Sequence, residues 1–149
     1  MPSQADSIAR GHTMPFGAEV CADAKVRFRL WAPGQERIAL VLEEGDIELP
    51  MTALAHGWHE LVIDQAAPGS RYRFELTDGL RVPDPASRYQ PEDAHGPSEV
   101  VDPRAYPWSD GAWRGLPWRE TVIYELHVGT FTPQGTFRAL IEKLDYLAE

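Results

Sequence analysis

The 149-residue sequence contains no asparagine and a single cysteine, Cys21. One cysteine excludes an internal disulfide framework and fits a reducing compartment. No cluster of Lys and Arg occurs: 14 basic residues are scattered among 23 acidic ones, for a formal net charge of −9. A polyanionic backbone is repelled by such a chain, so nucleic acid is not an expected partner. No apolar run nears the ~18 residues of a membrane span. Residues 1–15 also lack the apolar core of roughly 7–15 residues that a secretory signal carries. A cytoplasmic chain with no membrane partner is the expectation.

What is present is an ordinary globular balance, 43% hydrophobic and 25% charged. A chain of this length can bury one sizeable core. Residues 1–13 show no periodicity and read as a disordered tail. From Phe16 to Val82 the pattern has period two: Val26, Phe28 and Leu30 alternate with Arg27, Arg29 and Trp31, and Tyr72, Phe74 and Leu76 alternate with Arg71, Arg73 and Glu75. Ile38, Leu40 and Leu42 share another face. Such alternation marks half-buried strands. Turn chemistry lies between the runs, in "APGQ", "EEGD", "AAPGS" and the Asp78-Gly79 pair. With "GAEV" and "LRV" added, about seven short strands are expected, near the number that builds an immunoglobulin-like sandwich. Residues 14–82 are therefore read as an N-terminal β-sandwich domain.

Over residues 83–118 the composition changes. Pro83, Pro85, Pro91, Pro97, Pro103, Pro107 and Pro117 account for more than half of the chain's 13 prolines, with Trp108, Trp113 and Trp118 beside them. Proline removes ladder donors, while a merely flexible linker would be poor in Trp. An ordered connector is expected. In residues 119–149, Val122, Tyr124, Leu126 and Val128 then form one face of a predicted strand. Ile123, Glu125 and His127 form the other. Phe137, Leu140, Ile141, Leu144 and Leu147 recur at helical spacing behind Thr136, a suitable N-cap. A strand, loop and amphipathic helix make the first unit of an alternating β/α layout, and its apolar stripe needs a cover. Self-association through Phe137, Leu140, Ile141 and Leu144 is one way to supply it.

Taken together, "FRLWAPG" and "GSRYRFELTDG" resemble the β-sandwich that precedes the catalytic barrel in the α-amylase superfamily. "VPDPASRYQPEDAHGPSEVVDP" and "YELHVGTFTPQGTF" resemble the malto-oligosyltrehalose trehalohydrolase family in particular. The resemblance covers residues 14–149 and implies a retaining glycoside hydrolase built on a (β/α)8 barrel, which releases trehalose by cleaving the α-1,4 bond next to it. Such chemistry uses two carboxyl groups about 5–5.5 Å apart, at the C-terminal ends of barrel strands. The superfamily's D-x-x-x-N-H segment requires asparagine, and the G-x-R-x-D segment is absent as well. No catalytic residue is therefore assigned, no cofactor is expected, and these residues alone are expected to be inactive. The resemblance makes residues 119–149 the start of an incomplete barrel, with a malto-oligosaccharide substrate in the longer protein. A free-standing glucan-binding or docking module, or the front of a branching or debranching enzyme, are the alternatives.

Three residues are candidates for substrate contact. His127 and Glu125 would face inward near the mouth of a barrel, although a buried carboxylate there could equally serve a neighbouring strand. Trp58, at a strand start after Gly57, could stack on a sugar ring, although large aromatics in small sandwiches are more often core. Trp31, in "WAP", reads as structural. His56 and His59 fall on opposite faces of a strand pattern, so no metal site is expected. Asp93, His95 and Ser98 sit in a Pro-rich loop and read as a turn. Cys21 reads as a small buried residue.

Overall fold

Alternating apolar runs become ladders where two of them can face each other. In the computed structural model, which describes residues 15–148, this happens throughout the first half of the chain. The tail expected over residues 1–13 lies outside the described residues. One antiparallel sheet contains β1 (Gly17–Val20) and β2 (Val26–Trp31), and a second contains β3 (Ala39–Leu42) and β4 (Ile47–Pro50). The first sheet adds β5 (Thr52–Ala53) and β6 (Trp58–Ile63), in the order β1-β2-β6-β5. The second adds β7 (Arg71–Glu75) between β3 and two short strands, β8 (Arg81–Val82) and β9 (Ser98–Glu99). β8 pairs with Phe74 and Glu75, and β9 with Arg71 and Tyr72, so the two follow one another along one side of β7.

The inward faces are the apolar halves of each alternation. Val26, Phe28, Leu30 and Ile63 from the first sheet share a core with Leu40, Leu42, Tyr72 and Phe74 from the second. The Phe28 ring meets Tyr72 edge-on at 4.8 Å, and Tyr72 meets Phe74 at 5.7 Å. Each such burial contributes roughly 1.5–3 kcal/mol, which explains why short strands suffice. The outward faces carry ion pairs between neighbouring strands, such as Arg81 with its registered partner Glu75 and, two residues off register, Arg73 with Glu43. At the surface these contribute on the order of 0–1 kcal/mol each.

The chain divides into two compact units, Met1–Pro107 and Trp108–Glu149. The connector expected over residues 83–118 is thus split. Its first part joins the sandwich because Ser98 and Glu99 pair with β7 and because Asp84 is buried, which ties a proline-rich segment down without a long strand. The second unit contains α1 (Val128–Phe131), α2 (Phe137–Ile141) and α3 (Leu144–Ala148).

Two expectations for this unit are corrected. Residues 121–127 form no strand, although the backbone is extended at both ends of the run, at Thr121 and His127, and Val122 is 91% exposed. A strand exists only by pairing, and among the described residues nothing pairs with this run. The single helix expected from Phe137 onward is two short helices separated by a turn at Glu142 and Lys143. Thr136 does cap α2, its Oγ1 accepting from the Ala139 N–H at 3.2 Å. With Ala139 the sole buried residue of these helices, tertiary packing cannot supply the stability that propensity lacks. No described helix is long and apolar enough to cross a membrane.

Candidate functional site

The outer face of the first sheet ends in two tryptophans. Trp31, the last residue of β2, is registered opposite Trp58, the first of β6, so both indoles stand on one face. Trp31 was expected to be structural, and it is 59% exposed. The signal that could have found it was its own alternation with Arg27 and Arg29, both of which point outward. Its indole N–H donates to the His56 carbonyl at 3.0 Å, which fixes the ring although it faces solvent. His56 pays for that position with a left-handed backbone, φ +61°.

Trp58 is half-buried, and the Arg29 guanidinium lies 4.5 Å above its ring centroid. A cation–π contact of this kind contributes about 0.5–1 kcal/mol near the surface. Arg29 is also 3.7 Å from Glu60, its cross-strand neighbour. Beside the tryptophans opens a groove of about 400 Å³, lined also by Phe16 and by a wall formed by Asp84, Pro85 and Ala86. That volume is at the small end of ligand sites, which run from about 300 to 1,000 Å³. The lining combines apolar and aromatic surface with one guanidinium, which suits a ligand that has a flat apolar face and hydroxyl edges.

The wall is fixed from beneath. Asp84 is buried, its Oδ2 accepting from the Tyr72 hydroxyl at 2.6 Å and its Oδ1 from the Ala86 N–H at 2.8 Å. Its own N–H donates to Ser98 Oγ at 2.9 Å. Arg88 crosses Gly17, where a Cβ would meet its Nη1 at 2.9 Å, so the loop packs against β1 without a side chain between. Burial raises the Asp84 carboxyl above its ordinary range, opposed by the hydrogen bonds from Tyr72 and Ala86 and by the Arg88 charge. Burial and then the neighbouring carboxylate raise the Tyr72 hydroxyl too, so it remains a neutral donor.

A raised folded-state carboxyl has a definite linkage sign. The native state holds the Asp84 proton more tightly than the unfolded chain, so this contribution is full below the unfolded value and is lost as pH rises through the folded one. Asp84→Asn removes it. Measured by urea denaturation from pH 7 downward, the stability of the wild type relative to Asp84→Asn is expected to rise as pH falls toward 4. A difference that stays flat or falls would contradict the assignment. Subtracting the variant also cancels exposed Asp93 and half-buried Asp102, whose carboxyls are lowered by hydrogen bonds from His95 and Arg104 respectively and act with the opposite sign.

The remaining candidates are placed as follows. Glu125 and His127 lie in the run at residues 121–127 of the second unit, both exposed, and the His127 carbonyl accepts the first amides of α1 from Thr130 and Phe131. His56 occupies a turn while His59 is buried on β6, and among the described residues no three His, Cys, Asp or Glu side chains are grouped as metal ligands. Asp93 folds a turn, its Oδ1 accepting from the His95 and Gly96 N–H groups. Ser98, in contrast, is buried beneath Asp84. Cys21 is half-buried rather than buried.

The chain as a whole is similar to known proteins. Residues 15–103 match the model of carbohydrate-binding module 48, the isoamylase N-terminal domain. A malto-oligosyltrehalose trehalohydrolase from Saccharolobus solfataricus is 43% identical over 91% of this chain and 24% of its own length. A 1,4-alpha-glucan branching enzyme from Ralstonia nicotianae is 37% identical over 72% of this chain and 16% of its own. The crystal structure of a protein described as an alpha amylase, from Salmonella typhimurium, superposes with a TM-score of 0.84 at 50% identity, covering 92% of this chain and 23% of that one. The chain thus spans about a quarter or less of the proteins it matches, and the resemblance read from "YELHVGTFTPQGTF" is borne out by the first of them.

Proposed function

This chain belongs to the carbohydrate-binding module 48 family, and on that premise we propose that it is the front part of a retaining glycoside hydrolase that releases trehalose from malto-oligosyltrehalose. The sandwich holds the glucan, and the catalytic carboxyls come from a barrel for which residues 119–149 supply the opening unit. The observation that carries the glucan-holding part is the exposed Trp31, held rigid by His56 and set opposite Trp58 at an open groove. A sugar ring presents an apolar face of C–H groups to an indole and its hydroxyls to the surrounding polar atoms, so one fixed tryptophan and one guanidinium suffice to orient it. Net charge does not oppose a neutral ligand.

In this reading Arg29, already stacked on Trp58, offers N–H groups to a hydroxyl at the groove's edge. Glu125 and His127 face the substrate once the run before α1 pairs with neighbouring strands. The second unit's exposed Phe137, Ile141 and Leu144 are covered by the rest of the barrel or by a second copy. A cytoplasmic setting accords with the single cysteine. The similarity to a branching enzyme favours one further reading, in which the same groove holds a chain being transferred rather than hydrolysed.

The test is calorimetric titration of the 149-residue chain with maltoheptaose and with malto-oligosyltrehalose. Both are expected to bind, and Trp31→Ala is expected to weaken binding more than about tenfold, ~1.4 kcal/mol. No trehalose is expected to appear in either titration. Absence of binding in the wild type would refute the groove, and release of trehalose abolished by a substitution in this chain would refute the placement of the carboxyls elsewhere.

A further inference from the structure

Asp84 is a buried ionisable group that sugar contact does not by itself explain. Both of its carboxylate oxygens are committed, one to the Tyr72 hydroxyl at 2.6 Å and one to the Ala86 N–H at 2.8 Å, which leaves little for a ligand. Its partners tie three places together. Tyr72 belongs to β7 and is fixed by ring contacts to Phe28 and Phe74, while Ser98, which accepts from the Asp84 N–H, belongs to β9. Ala86 is itself part of the groove wall. The Ser87 N–H, donating to the Asp84 carbonyl at 3.0 Å, closes the turn. Burying a carboxylate is costly, and an apolar side chain would fill the same space more cheaply. What the carboxylate adds is direction, since two short hydrogen bonds fix the wall relative to the core.

We propose that Asp84 is a positioning residue for the groove: its carboxylate acts through Pro85 and Ala86, holding that wall at a set distance from Trp31 and Trp58, and does not itself bond the ligand. The ligand part of this statement rests on the glucan reading above. The positioning part does not.

The variants that test it are Asp84→Ala, Asp84→Asn and Tyr72→Phe in the full 149-residue chain. Each is compared with wild type by maltoheptaose titration and by the indole N–H signals of ¹⁵N-labelled protein. Asparagine can accept from the Ala86 N–H with its oxygen and donate to the Tyr72 oxygen with its nitrogen, so it preserves the wall. Alanine can do neither. Asp84→Ala is expected to shift the Trp31 and Trp58 signals while leaving those of Trp108, Trp113 and Trp118, and to weaken maltoheptaose binding about fivefold or more. Asp84→Asn is expected to restore both readouts to within about twofold of wild type.

If Asp84→Ala does not fold, Tyr72→Phe, which keeps the core ring, is expected to give the same shifts at smaller amplitude. Unmoved Trp31 and Trp58 signals accompanied by a lower melting temperature would reduce Asp84 to a stabilising residue and overturn the proposal. Moved signals with unchanged affinity would overturn it as well. If wild type does not bind maltoheptaose, the glucan reading fails, and the positioning role is then decided by the indole signals alone.

Discussion

Gly57→Ala is expected to lower the stability of the first unit by about 2–4 kcal/mol, a fall of roughly 10 °C or more in melting temperature. Two effects combine. Gly57 has φ +81°, where an L side chain costs about 1–2 kcal/mol. In addition, a Cβ there would lie 2.5 Å from Pro33 Cβ and 2.6 Å from Pro33 Cα, so backbone has to move. The segment that would move carries the supports of the aromatic pair. The Gly57 carbonyl accepts from the Ala32 N–H at 2.8 Å, His56 accepts from the Trp31 indole, and Trp58 follows immediately. Glucan affinity is therefore expected to fall with stability. His56→Gly is the control, because it relieves the adjacent left-handed residue without adding an atom, and is expected to stay within about 1 kcal/mol of wild type. Thermal unfolding of the two variants side by side checks this, and equal melting temperatures for Gly57→Ala and wild type would mean that Pro33 yields freely.

How much of this was readable from the sequence depends on how far each feature is a property of one segment. β2 and β7 are readable because each carries its own alternation, which a sheet with one wet face demands, whereas in β3 only the shared face of Leu40 and Leu42 shows and β6, "WHELVI", mixes apolar and polar residues on both faces. β5, β8 and β9 have two residues each, too few to show a period. The run at residues 121–127 shows the opposite failure. Its alternation describes the surroundings the segment suits, whereas a strand requires a second segment to pair with. The groove was partly readable. Trp58 stands out by its position at a strand start, Trp31 reads as structural from "WAP" alone although Arg27 and Arg29 on the same face mark that face as outward, and Asp84 lies inside "VPDP", where an aspartate between prolines reads as a turn. Nothing local distinguishes a turn aspartate from one buried under a wall; the difference lies in Tyr72 and Ser98, 12 and 14 residues away.

Phe28→Ala is expected to be the more damaging of two superficially similar phenylalanine deletions. Phe28 is 0% exposed, lies in β2 opposite Leu61, and touches Tyr72 of the other sheet at 4.8 Å. Removing it costs transfer energy, the aromatic contact and a cavity between the sheets, about 3–5 kcal/mol in all. For a small unit with a total stability on the order of 5–15 kcal/mol, this is a large fraction, and the urea midpoint is expected to fall by 1 M or more at roughly 1–3 kcal/mol/M. Phe137→Ala, by contrast, removes a ring that is 72% exposed at the start of α2, and is expected to change stability by no more than about 0.5 kcal/mol. The contrast follows from where each unit's apolar side chains go: in the first they meet across two sheets, and in the second they face solvent. Urea titrations of both variants at two protein concentrations separate the possibilities. A Phe137→Ala effect that matches Phe28→Ala and grows with concentration would mean that a second copy covers the helices' apolar face. A concentration-independent contrast of several kcal/mol would mean that the sandwich carries nearly all of the stability and that no second copy covers the helices.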